Sequence, residues 1–145
     1  MRRFLVVANQ TLGSEELVGE MHRRAVEEPT EFHFLVPATL AVSHDRGAPL
    51  SPPADEGVEE LVQRRLGNEL VALRRAGLQV KGLIAGPDPV RAVRGVLERR
   101  VFDEIIVATL PRGVSRWLRL DLVTQVRRRA SVSVTHVECS RSGHS

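Results

Sequence analysis

Apolar residues in this chain fall into short unbroken runs separated by stretches of helical periodicity. The first run, Arg3–Ala8, reads Arg-Phe-Leu-Val-Val-Ala and predicts a strand buried on both faces, as in a parallel sheet. Asn9–Gly13 is a polar loop. Ser14 then stands as a helix cap, with Glu15 and Glu16 in the first turn, where the helix dipole favours acids. Leu17, Val18, Met21 and Ala25 share one helical face, and Pro29 closes the helix. A second strand covers Glu31–Pro37. The segment Ala38–Glu56 is long and rich in Pro, Gly, Ser and Ala, which predicts a functional flap or a disordered loop. A helix from about Val58 to Ala76 follows, with Val58, Leu61, Val62, Leu66, Leu70 and Leu73 on one side and Gly77 as its stop signal.

Leu78–Ala85 is the third strand. In the turn after it, Asp88 caps a helix whose first residue is Pro89, and Val93, Val96 and Leu97 face inward. The fourth strand, Glu104–Ala108, is the clearest. Thr109–Gly113 leads from it to a helical region from Ser115 to about Ala130, then to a last strand, Ser131–Glu138. Cys139–Ser145 is expected to be a loose polar tail. Strict alternation of apolar strands and helices predicts an α/β fold. It is a Rossmann-like three-layer α/β/α sandwich on a five-stranded parallel sheet, one domain over residues 1–138 with a flexible tail at 139–145. The first and fourth strands, the most uniformly apolar, belong at its centre. Ligands of such sheets bind at the carboxyl ends of the strands, where strand order reverses.

The length of 145 residues fits one domain. No apolar run approaches the roughly 20 residues of a membrane helix. Phe4–Ala8 is too short for a signal-peptide core, and no small-residue cleavage site follows it. The one cysteine, Cys139, excludes an internal disulfide and a cysteine zinc cluster. Together these point to the cytoplasm. The pI of 10.3 reflects a chain with one lysine, Lys81, no tyrosine and a formal charge of only +3, so little titrates above neutrality. Charge distribution is more informative: residues 1–60 hold 5 basic and 11 acidic side chains, residues 61–145 hold 16 and 7. Arg127, Arg128 and Arg129 end the last helix, where cations suit the dipole, and a solvated helix end explains them better than a nucleic-acid patch.

Three local features resemble the universal stress protein family, over Arg3 to Val137. They are the turn Ala85-Gly86-Pro87-Asp88-Pro89 followed by Ala92 and Val93, the strand Asp103-Glu104-Ile105-Ile106-Val107, and the ending Arg129-Ala130-Ser131-Val132-Ser133-Val134. The resemblance implies a strand order 3-2-1-4-5 and a homodimer through the last strand, Ser131–Glu138. That strand carries Val132, Val134 and Val137 and would lie at a sheet edge open to pairing. The departures are informative too. Nucleotide-binding members place an Asp after the first strand, and Asn9 stands there. They cradle phosphates with Gly-x-x-Gly, a spacer of about nine residues and Gly-Ser. Here Thr109 and Arg112 replace the two glycines, the spacer is shorter, and Leu120-Asp121 replaces Gly-Ser, with Gly113 able to substitute only by a shift. Glycines let backbone N–H groups approach phosphates, whereas Leu120 blocks that approach and Asp121 repels a like charge.

The candidate ligand residues are therefore Asn9, Thr11, Thr109, Arg112, Gly113, Ser115, Arg116 and Asp121. Arg112, Arg116 and Arg119 around Ser115 read either as an anion site at a helix start or as surface ion pairs with Asp121. ATP is expected to bind weakly or not at all, AMP or ATP being the only cofactors the resemblance suggests. Sulfate or phosphate is expected near Thr109, Arg112, Ser115 and Arg116. Trp117 reads as core or dimer contact, His44-Asp45-Arg46 as a solvated turn, and Cys139 as no nucleophile. His22, His33, His136 and His144 lack metal-ligand spacing. The sequence has no Gly-x-Gly-x-x-Gly after the first strand, no Gly-Lys-Ser/Thr phosphate loop, no receiver-type acidic pair and no Gly-x-Ser-x-Gly elbow. No reaction is assigned. The reading is a stress-response or regulatory module, non-enzymatic, with altered or lost adenine-nucleotide binding. The alternative is a small nucleotide-binding protein or hydrolase with a non-standard phosphate loop.

Overall fold

The apolar runs join into one sheet whose five strands are all parallel. In the computed structural model, which describes residues 1–37, 54–86, 88–111 and 122–140, they are β1 (Arg2–Val7), β2 (Thr30–Pro37), β3 (Gln79–Ala85), β4 (Glu104–Thr109) and β5 (Ser133–Glu138). Their order is β3-β2-β1-β4-β5, as the resemblance implied. Helices α1 (Glu15–Glu27), α2 (Ala54–Arg75), α3 (Pro89–Arg99) and α4 (Leu122–Arg129) alternate with them. β1 and β4 lie at the centre, paired from Phe4 with Glu104 to Val7 with Val107. Phe4–Ala8 and Ile105–Ala108 are all buried, which explains their lack of polar alternation.

Alternate side chains serve two cores. Phe4, Val6, Phe32, Phe34 and Ile106 pack under Leu17 and Met21 of α1 and Val62, Leu66 and Leu73 of α2. Leu5, Val7, Leu35, Ile105 and Val107 pack on the opposite face against Val93 of α3 and Leu122, Val123 and Val126 of α4. This division follows from right-handed crossovers. The chain moves outward from β1 to β3 on one face, then returns and leaves through β4 and β5 on the other.

Local signals set the helix ends. The Ser14 hydroxyl accepts from the Leu17 N–H at 3.1 Å, and Asp88 accepts from Val90 and Arg91 at 3.1 and 3.3 Å with Pro89 behind it. After α2, Leu78 N–H reaches the Leu73 carbonyl and Gly77 N–H the Arg74 carbonyl, both at 3.0 Å, with Gly77 at φ +96°. These paired bonds are a Schellman cap, which needs the left-handed backbone that glycine adopts without strain.

Some details differ from the expectation. α2 starts at Ala54 rather than Val58, so Ala54–Glu56 leave the expected loop. The rest of that loop, with His44, Asp45 and Arg46, lies outside the described residues. Leu61 is exposed, because the buried stripe runs through Val62, Leu66 and Leu73, and Leu61 sits about 100° off it. β5 starts at Ser133 rather than Ser131. Cys139 and Ser140, expected as part of the loose tail, make contacts with the rest of the chain. Cys139 is fully buried and its N–H donates to the Thr109 carbonyl at 2.7 Å, while Ser140 bonds Glu16 through its N–H (3.3 Å) and hydroxyl (2.7 Å). Residues 141–145 lie outside the described residues.

Candidate functional site

Strand order reverses between β1 and β4, since the chain leaves them in opposite directions, so their carboxyl ends form the crevice where such sheets take ligands. Asn9 follows β1 and is 3% exposed. Its Nδ2 donates to the Pro37 carbonyl at the end of β2, 2.7 Å away, and its Oδ1 accepts from Arg65 Nη1 of α2 at 3.2 Å. A carboxamide fits this position because it offers a donor to one neighbour and an acceptor to the other. A carboxylate would set oxygen against the Pro37 carbonyl.

The polar loop folds back on itself. Leu12 N–H donates to the Asn9 carbonyl (3.2 Å) and Ser14 N–H to the Thr11 carbonyl (3.0 Å), with Gly13 at φ +84°. The Thr11 hydroxyl is thereby carried across to β4, where it donates to the Ala108 carbonyl at 3.2 Å. Thr109, also buried, shares a 2.7 Å hydrogen bond between its hydroxyl and His136 Nε2 on β5. Parallel register places His136 beside Val107, so its imidazole reaches the end of β4. Ser14 completes the set by donating its hydroxyl hydrogen to Cys139 Sγ at 3.0 Å. Burial pushes the Cys139 thiol above its ordinary range, so at neutral pH it is a protonated packing group.

Of the expected site residues, the structure brings together Asn9, Thr11 and Thr109. Arg112, Gly113, Ser115, Arg116 and Asp121, with Trp117, Arg119 and Leu120, lie outside the described residues. Arg65, Ser14, His136 and Cys139 join this region without having been singled out for it. Ser14 carries a sequence signal only as a helix cap, and Cys139 looks like the start of a tail. His136 is visible only once β4 and β5 are placed side by side. Arg65 sits among the polar positions of α2, and nothing local marks it. Among the described residues no three His, Cys, Asp or Glu side chains converge as metal ligands, and no helix is long and apolar enough to cross a membrane. The three arginines at the end of α4 are exposed, and Arg127 donates to the Val134 carbonyl at 3.4 Å.

The fold has close structural counterparts. The chain superposes on the hypothetical protein MJ0577 with a TM-score of 0.66 at 15% identity, over 99% of this chain and 98% of that one. It superposes on a universal stress protein crystallised in complex with cAMP with a TM-score of 0.55 at 13% identity, over 96% and 98%. No protein-family model and no curated protein matches the sequence. The chain thus has a universal-stress-protein-like fold, and at these identities the likeness is one of architecture. What the crevice recognises is a matter of its own residues.

Proposed function

We propose that this protein is a universal-stress-protein-like regulatory module of the cytoplasm, working in a stress response by association rather than by catalysis, with adenine-nucleotide binding altered or lost. The observation that carries the reading is Asn9, held between the Pro37 carbonyl and Arg65. Where the resemblance calls for an anionic Asp, the crevice offers a neutral carboxamide already bonded on both sides. A base entering there must displace a 2.7 Å hydrogen bond, and leaving that buried donor unpaired costs about 1–3 kcal/mol. The replaced glycines at Thr109 and Arg112 work in the same direction. The cAMP complex of a protein of like fold supports the crevice as the place to test.

Calorimetric titration with ATP, AMP and cAMP is the test. The expected result is no saturation below about 1 mM, a binding free energy weaker than about 4 kcal/mol. Micromolar ATP affinity would overturn the reading in favour of a nucleotide-binding protein or hydrolase. If that affinity survived Arg112→Ala and Arg116→Ala, the phosphate site would also have been misplaced. The same reading includes a homodimer through the edge strand β5. Light scattering is expected to give twice the chain mass at micromolar concentration, and a clean monomer mass would remove that part.

A further inference from the structure

Away from the crevice, the face of β2 and β3 on the side of α3 carries a groove of about 310 Å³. Topology explains it. The chain crosses from β3 at one edge back to β4 near the middle, so α3 packs beside α4 and, among the described residues, Lys81 and Leu83 of β3 stay exposed on this face, while α2 covers its other side. Two rows of the sheet make the floor: Leu5, His33 and Lys81 in register, and Leu35 beside Leu83. Leu83 is 54% exposed, unusual for a large apolar residue in a strand. Phe102, edge-on to His33 with centroids 5.4 Å apart, closes the inner end, and Val96 forms a wall.

The rim has a single sign. Among the described residues eleven line the groove, none of these is acidic, and Lys81, Arg99 and Arg100 are cations. Two lining residues are paired with the carboxylate of Glu31, His33 at 3.0 Å and Lys81 at 3.3 Å, and Glu31 also meets Arg3 at 3.7 Å, so the uncompensated charge of the rim is that of Arg99 and Arg100. Arg99 and Arg100 form no ion pair among the described residues. An apolar floor under a rim of surplus positive charge is complementary to an apolar body with an anionic head. The volume lies at the lower end of the roughly 300–1,000 Å³ of small-molecule sites, and suits a medium-chain acyl or a bicyclic aryl group. A second copy of this chain is a poor occupant, because symmetric pairing through the groove would bring like charges together.

We propose that this groove binds a small amphipathic organic anion, its apolar body on Leu35, Leu83 and Phe102 and its carboxylate at Arg99, Arg100 and Lys81. The site is separate from the crevice of the proposed nucleotide chemistry and stands or falls independently of it.

Amide NMR titration of the full chain with decanoate, against decanol as a neutral control, tests the proposal. Saturable shifts are expected at residues 81–83 and 99–102 with decanoate and much weaker ones with decanol. Leu83→Glu changes an exposed position, so the rest of the spectrum should stay the same. Its carboxylate in the rim should weaken decanoate about tenfold. The pair Arg99→Gln and Arg100→Gln should weaken it about threefold to fivefold and reduce its salt dependence. Equal shifts with decanol would overturn the proposal, as would shifts centred on Asn9 and Thr109, absence of saturation, or binding unchanged by Leu83→Glu.

Discussion

At the amino ends of β1 and β4 carboxylates meet arginines, whereas at their carboxyl ends amide, hydroxyl and thiol groups meet one another. Arg24 Nη2 lies 3.0 Å from Glu104 Oε2, which also accepts from the Thr135 hydroxyl at 2.8 Å, and Arg2 bonds Glu28 at 2.8 Å. Both guanidinium groups stand over the Phe4 ring, 5.2 and 5.5 Å from its centroid. At the other end Asn9, Thr11, Thr109, Ser14 and Cys139 carry amide, hydroxyl and thiol groups, and Arg65 reaches Asn9. Opening a half-buried ion pair strands a charge, but rearranging neutral hydrogen bonds strands at most one polar group. The amino end is accordingly a fastening, and the carboxyl end is where the chain can exchange internal bonds for bonds to a ligand.

The comparison is broken or sharpened by substitution at each end. Phe4→Ala removes the ring beneath both guanidinium groups and should cost roughly 3–5 kcal/mol in urea denaturation. A loss near zero would mean that the amino end does not depend on that platform. Glu104→Ala, which leaves Arg24 without its inter-element carboxylate, should cost about 2–3 kcal/mol. Thr109→Val removes the hydrogen bond to His136 at the carboxyl end and should cost about 1 kcal/mol. Equal losses for Glu104→Ala and Thr109→Val would erase the contrast between the ends. Ser14→Ala, which uncaps α1 and releases Cys139, should also cost about 1 kcal/mol.

The smallest effects are in the pH dependence, and their signs differ from one carboxylate to another. Glu20 is held below the ordinary carboxylate range first by its hydrogen bond from Arg23, and Glu31 first by its bond to His33. Both contribute stability that is present above the unfolded value and lost as pH falls through their lowered folded values. Glu31→Gln should therefore flatten the acid limb of a stability profile. Glu69 is opposite: burial raises it, and its carboxylate lies beside Gly13 at the carboxyl end. Its contribution is present below the ordinary range and lost as pH rises through the raised value. Glu69→Gln should gain relative to the natural protein over that upward window, and a profile parallel to that of Glu31→Gln would contradict this.

Most of the fold was legible because its signals are local. Arg3–Ala8 and Glu104–Ala108 are apolar without a break, and a strand with no polar face has to be interior. Ser14, Asp88-Pro89 and Gly77 mark helix ends through bonds spanning a few residues. The candidate crevice was legible only in part. Asn9, Thr11 and Thr109 stand out because they directly follow central strands, where the topology rule places ligands. Arg65 did not, since a single arginine on the polar side of a long helix looks like any solvated charge. Cys139 looked like a tail because the acceptor of its N–H is the carbonyl of Thr109, which no local pattern reveals.

The sequence by itself determined the alternation of elements, their parallel arrangement and the two apolar stripes that become the cores. These follow from side-chain periodicity and capping, which act within a turn or a strand. Only the tertiary structure decided which polar groups meet: Arg65 with Asn9 across 56 positions, Arg24 with Glu104 across 80, Ser14 with Cys139 across 125. It also decided that Lys81 and Leu83 of β3 stay exposed near Arg99 and Arg100. Such pairings depend on which face each crossover helix covers and on strand register. Those are properties of the whole chain's packing, and no short window of sequence contains them.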